Sequence, residues 1–140
     1  PPDRYEAGTL NTAGLAGLYA AASFLLETGV DRVRTHEVDL MHRLIAALSE
    51  VPGLTYYGPR SAEERLGLIS FNLEGKDSAQ VAMKLDADYG IMVRSGIHCA
   101  PQAHRLLGTE QVGAVRVSLG YFNSEQDVET LVGALREIAA

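Results

Sequence analysis

Gly67-Leu68-Ile69-Ser70-Phe71-Asn72-Leu73 alternates by twos, with Ile69, Phe71 and Leu73 on one side and Leu68, Ser70 and Asn72 on the other. That period belongs to a strand with one face in a core. A second strand signal, Leu54–Tyr57, lies upstream, and only the polar loop Gly58–Arg65 stands between the two. Strands in succession without an intervening helix pair antiparallel, because a parallel pair needs a long crossover. Downstream, Asp77 has the features of a helix N-cap, with Gln80 at the reciprocal capping-box position. Val81, Ala82 and Leu85 form the inward side of that helix. Ile91–Val93 predicts a short strand and Ala114–Phe122 a longer one, with a loop and short helix to Gly108 between them. Ser124 caps a last helix striped by Val128, Leu131, Val132, Leu135 and Ile138. Upstream, Leu15, Leu18, Tyr19, Ala22, Leu25 and Leu26 recur at helical steps over residues 12–28, until Gly29. A second helix covers about 31–50, with Leu40, Met41, Leu44, Ile45 and Leu48 on one stripe and Pro52-Gly53 at its end.

This order predicts an α+β fold, a small mixed, largely antiparallel sheet covered by helices. The pattern does not fix the strand order. Residues 1–30 read as an interdomain linker with a long helix, and 31–140 as one small domain. The Ala- and Leu-rich face of residues 12–28 has no evident partner in such a fold, which marks it as a contact surface.

Composition narrows the classes. At 140 residues, 46% hydrophobic and 21% charged, the chain is long and apolar enough for one domain with a real core. Lys plus Arg number 12 against 18 Asp plus Glu, a formal charge of −6. That balance argues against a non-specific nucleic-acid binder, which must neutralise phosphates. No apolar run approaches the about 20 residues that span a bilayer, so no membrane partner is expected. One cysteine rules out a disulfide scaffold and suits a reducing cytoplasm. The opening Pro1-Pro2-Asp3 lacks a Met, so the chain reads as part of something longer.

The chemistry gathers in Val93-Arg94-Ser95-Gly96-Ile97-His98-Cys99-Ala100-Pro101. Pro101 suits the first turn of a helix, which puts Cys99 just before a helix N-terminus. There Arg94 and His98 favour the thiolate. The competing reading is a small buried residue, since free cysteines are often buried. His98, Cys99 and His104 lack the spacing of a metal site. Arg116 is the second candidate. In a strand it shares one side with Ala114, Ser118 and Gly120, while Val115, Val117, Leu119 and Tyr121 take the other. A guanidinium among small residues leaves room for a ligand, and its fork suits a carboxylate. An ion pair with an internal Asp or Glu would explain it equally. Third, Glu6-Ala7-Gly8-Thr9-Leu10-Asn11 joins a glycine, a hydroxyl and a helix start, as phosphate sites do. Capping by Thr9, Asn11 or Thr12 uses the same letters. His36, His42 and His104 read as solvated or satisfied histidines, and Glu63-Glu64-Arg65 as a solvated loop.

Together these segments carry a resemblance. Arg4-Tyr5-Glu6-Ala7-Gly8-Thr9-Leu10-Asn11 resembles the segment that opens the C-terminal part of class V aminotransferase-like enzymes. Arg94-Ser95-Gly96-Ile97-His98-Cys99-Ala100 is similar to the active-cysteine loop of their cysteine desulfurase and selenocysteine lyase branch. Ala114-Val115-Arg116-Val117-Ser118 through Tyr121-Phe122-Asn123 resembles the arginine strand that follows. Order and spacing agree over essentially the whole chain. The resemblance implies the C-terminal domain of a fold-type-I homodimer dependent on pyridoxal phosphate. Its substrate would be L-cysteine or L-selenocysteine, its products alanine with a persulfide or released selenium, and its partner a sulfur-acceptor protein. By the same resemblance Cys99 is the nucleophile and Arg116 grips the substrate carboxylate. Arg94, Gly96 and His98 shape the loop that supports the thiolate, and Gly8 and Thr9 reach the cofactor phosphate of the other subunit. Ile97 stands where better-known desulfurases often carry a second histidine, which leaves the proton donor open. Neither Lys76 in its Gly75-Lys76-Asp77 turn nor Lys84 inside a helix resembles the family's cofactor lysine, which comes earlier. The chain alone is therefore expected to be inactive. The alternatives are a selenocysteine lyase, another class V aminotransferase, or a stand-alone, non-catalytic α+β binding module.

Overall fold

The computed structural model describes Tyr5 and residues 7–140; Arg4 and Glu6 of the first resembling segment lie outside the described residues. The elements are α1 (Thr12–Thr28), α2 (Val30–Leu48), β1 (Leu54–Tyr57), β2 (Leu68–Leu73), α3 (Ser78–Tyr89), β3 (Arg94–Gly96), α4 (Pro101–Leu107), β4 (Ala114–Ser118) and α5 (Glu125–Ala139). They fall into two compact units, Pro1–Arg34 and Thr35–Ala140.

In the first unit, the Asn11 side chain accepts the Gly14 N–H at 2.9 Å and starts α1. Gly29, at φ +85°, ends it in a conformation that costs glycine nothing. No α1 residue is buried, and Leu18, Tyr19 and Leu26 are 66%, 76% and 85% exposed. The uncovered apolar face anticipated for residues 12–28 is therefore present.

The second unit is a four-stranded sheet in the order β1-β2-β4-β3, and every pairing is antiparallel. The alternation of β2 sorts its two faces. Ile69, Phe71 and Leu73 are buried together with Val115 and Val117 of β4. Leu40, Met41, Leu44 and Leu48 of α2, Val81 and Leu85 of α3, and the Val128–Ile138 stripe of α5 close over that face as one core. Asp77 caps α3 by accepting the Ala79 and Gln80 amides. Ser124 and Asp127 close α5 with a reciprocal capping box.

Three expectations are corrected. Ile91 and Val93 pack against the core, but pairing with β4 begins only at Arg94. A cleft of about 330 Å³, lined by Val93, Val117, Ser118 and Leu119 among others, separates the chain on either side. The longer strand ends at Ser118 rather than Phe122, because the Asn123 side chain accepts the Gly120 N–H and turns the chain into α5. Arg65, read as solvated, is 7% exposed. It donates to the carbonyls of Pro59 and Tyr57 and lies 5.5 Å from the Tyr56 ring, which fastens the Gly58–Arg65 loop back onto β1.

Candidate active site

The cysteine sits at the tip of a closed turn. The Ala100 N–H donates to the Ile97 carbonyl at 2.9 Å. Between them His98 and Cys99 have φ of +55° and +58°. Two successive residues at positive φ are the pattern of a type I′ turn. Neither is glycine, so each costs about 1–2 kcal/mol. The surroundings must hold them there. His98 supplies one tie, Nε2–H donating to the Arg94 carbonyl at 3.2 Å. The base of the turn is another. A Cβ on Gly113 would lie 2.7 Å from Gly96 Cα, so only glycine allows the two backbones to meet. Cys99 is exposed, which removes the buried-residue reading.

Burial, and then the charges of Arg116, His104 and Arg94, hold the His98 imidazole below its ordinary titration range, against the pull of the Arg94 carbonyl. The loop therefore presents a neutral ring with its Nε2 proton committed to a backbone oxygen.

Arg116 lies on the sheet face turned away from the core. The registers place Tyr57, Ser70, Arg116 and Arg94 in one row across β1, β2, β4 and β3. Two like charges directly opposite each other repel. Arg116 Nε is buried without a hydrogen-bond partner, and none of the ion pairs among the described residues includes this arginine. The internal ion-pair reading thus has no partner there. A buried donor lacking an acceptor beside a second cation is a place an anion would satisfy, and a carboxylate fits the fork.

At the other candidate, Asn11 rather than Thr9 caps α1. Thr9 is exposed, and Gly8 is at φ +87° with open space where a side chain would be. A hydroxyl beside an unobstructed backbone just before a helix is a donor set that suits a phosphate. His36 bonds the Asn123 carbonyl, His42 bonds Glu63, and His104 bonds Thr109, so all three helix histidines are satisfied.

The sequence reading missed two polar links. Tyr57 donates to Asn72, and Asn72 donates to the Gly113 carbonyl, so the open face of the sheet is tied to the base of the cysteine turn. Asn72, a side-chain amide beside Ser70 on the outward side of β2, was the available signal.

The family model for class V aminotransferases matches residues 1–131. A probable cysteine desulfurase of Methanothermobacter thermautotrophicus is 37% identical over 139 residues, 99% of this chain and 34% of that protein. A cysteine desulfurase of Yersinia pseudotuberculosis is 42% identical over 98% of this chain and 32% of its own length. Among solved structures, a cysteine desulfurase from Thermococcus onnurineus superposes with a TM-score of 0.89 at 40% identity, covering 99% of this chain and 34% of that one. The Escherichia coli cysteine desulfurase CsdA, in an S-sulfonic acid form, gives 0.81 at 31%, covering 97% of this chain and 32% of that one. The chain thus spans about a third of the length of these relatives. An arginine-bearing strand and an exposed cysteine turn, in a chain that matches this model and these proteins over nearly its whole length, place it in the class V aminotransferase family, in the branch that holds the cysteine desulfurases.

Proposed function

We propose that the chain forms the sulfur-abstracting, carboxylate-binding part of a pyridoxal-phosphate-dependent cysteine desulfurase, converting L-cysteine to L-alanine with the sulfur left as a persulfide on Cys99. The carrying observation is the exposed Cys99 turn beside the row that holds the unsatisfied Arg116 Nε. Arg116 binds the substrate carboxylate through its fork, and Arg94 adds a second positive charge. Cys99 Sγ attacks the substrate sulfur. An S–S bond forms as the substrate C–S bond breaks, and the released electron pair stays with the three-carbon skeleton that becomes alanine. Pyridoxal phosphate, when bound, supplies the electron withdrawal that makes that skeleton reactive. Thr9 and the Gly8 backbone are the donors in this chain for its phosphate, across a homodimer.

Lys84 is paired with Asp88 at 2.7 Å, and Lys76 sits in the turn after β2. In this reading the cofactor lysine belongs to a preceding domain, the 140-residue chain alone produces no alanine, and the protein works in the cytoplasm. An exposed Cys99 is open to a sulfur-acceptor protein.

The test is alanine and persulfide formation from L-cysteine by a protein that includes the preceding domain. Cys99→Ala should cut both by orders of magnitude, since the positioned nucleophile is gone. Turnover at the unsubstituted rate would end the desulfurase reading. L-selenocysteine in the same assay separates desulfurase from selenocysteine lyase.

A further inference from the structure

Among the described residues, a buried histidine is left unused by that chemistry. His104, on α4, is 5% exposed, and Thr109, just beyond the helix, is equally buried. The Thr109 hydroxyl faces the His104 carbonyl at 3.4 Å and the His104 Nδ1 at 2.8 Å. The short Thr109–Nδ1 bond holds the ring in one orientation, the hydroxyl donating or accepting as the ring's tautomer requires. The ring centre stands 5.7 Å from that of His98, the side chain that ties the cysteine turn to Arg94. Thr109 also reaches the turn from its other side: its carbonyl accepts the Gly113 N–H at 2.8 Å, and Gly113 packs on Gly96.

We infer that His104 and Thr109 are positioning residues for Cys99. Thr109 orients the His104 ring, His104 braces His98, and His98 keeps the turn in its left-handed conformation so that Sγ is presented in one place. The physical need is plain. Two non-glycine residues at positive φ relax unless something holds them, and displacement of a reacting atom by about 1 Å can cost roughly 100-fold in rate. The inference deepens the desulfurase reading and rests on it only for its kinetic consequence.

Amide hydrogen exchange on the 140-residue chain tests it without any cofactor. The Ala100 N–H reports the turn, and the amide of the fully buried Leu44 reports the whole fold. Thr109→Val keeps the shape but leaves His104 Nδ1 without its hydrogen-bond partner. Ala100 exchange should quicken roughly three- to tenfold relative to Leu44, the scale of one hydrogen bond. Thr109→Ser should restore it. In the protein that includes the cofactor domain, Thr109→Val should lower kcat for L-cysteine by a similar factor with KM unchanged, because Arg116 is untouched. Ala100 and Leu44 shifting in parallel, or a well-folded Thr109→Ser that fails to restore the turn, would overturn the inference. If Thr109→Val loses Leu44 protection altogether, His104→Phe, which keeps a ring and lacks Nδ1, carries the same expectation. Absence of any alanine from the unsubstituted protein would remove the desulfurase reading, and the exchange comparison would still decide the positioning role.

Discussion

Arg116 Nε is buried and unpartnered, and Arg94 stands directly across the ladder. Arg116→Lys keeps the charge but loses the fork. In the proposed enzyme KM should rise and kcat/KM fall by about 1–3 kcal/mol, read from steady-state kinetics. Thermal stability should barely move; a large drop in melting temperature with unchanged kinetics would point to a structural arginine. His98 gives a second prediction. Burial first, then the charge of Arg116, depress its titration below the ordinary 6.5, so Arg116→Gln should move the midpoint seen by NMR upward. The unfolded chain takes this proton near 6.5 and the folded chain only at lower pH. The contribution of His98 to stability is therefore complete above 6.5 and is lost as pH falls from there through the folded value. Arg116 was legible in the sequence because strand alternation alone puts it among small residues. The coupling of His98 to His104 was not, because α4 and the turn meet through side-chain contacts that no spacing rule encodes.

The elements themselves were largely legible: their order, and the bounds of α1 and β1, follow from period and punctuation. The misplacement of β3 has a physical cause. Apolarity marks what packs, whereas pairing depends on where the backbone meets its neighbour, and Ile91 and Val93 pack without pairing. Arg65 failed for a related reason. A charged residue in a polar loop reads as solvated, yet two loop carbonyls and the Tyr56 ring draw it in. β3 and β4 meet backbone to backbone at Gly96 and Gly113. Gly113→Ala forces a Cβ to 2.7 Å from Gly96 Cα, at a φ of +64° that a side chain resists. A loss of about 1–3 kcal/mol is expected from overpacking, measured by denaturant unfolding. The cysteine turn should loosen along with the melt, seen as faster exchange at Ala100. An unchanged unfolding midpoint would mean that the strands separate without cost.

At the scale of the whole molecule, every buried hydrophobic side chain among the described residues falls between Leu40 and Ile138. Residues 35–140 should therefore unfold cooperatively by themselves, with a melting temperature close to that of the full chain; calorimetry on the shortened chain checks this. A broad, non-cooperative melt would show that the first unit contributes to the core. The sequence anticipated α1 as an uncovered apolar helix, since an Ala- and Leu-rich helical run with no facing layer is visible in its letters. The extent of its exposure was not legible, because burial depends on what surrounds a helix. The cysteine turn carries a consequence of reach. Only residues 97–100 separate the end of β3 from the start of α4, and the Ala100–Ile97 bond draws even these together. Fully extended, a two-residue arm covers about 7 Å. In the proposed enzyme a sulfur carried on Cys99 would ride a short post rather than a tether. There it could not be ferried to a distant recipient, and a sulfur-acceptor protein would have to bring its accepting group to within a few ångströms of this one spot.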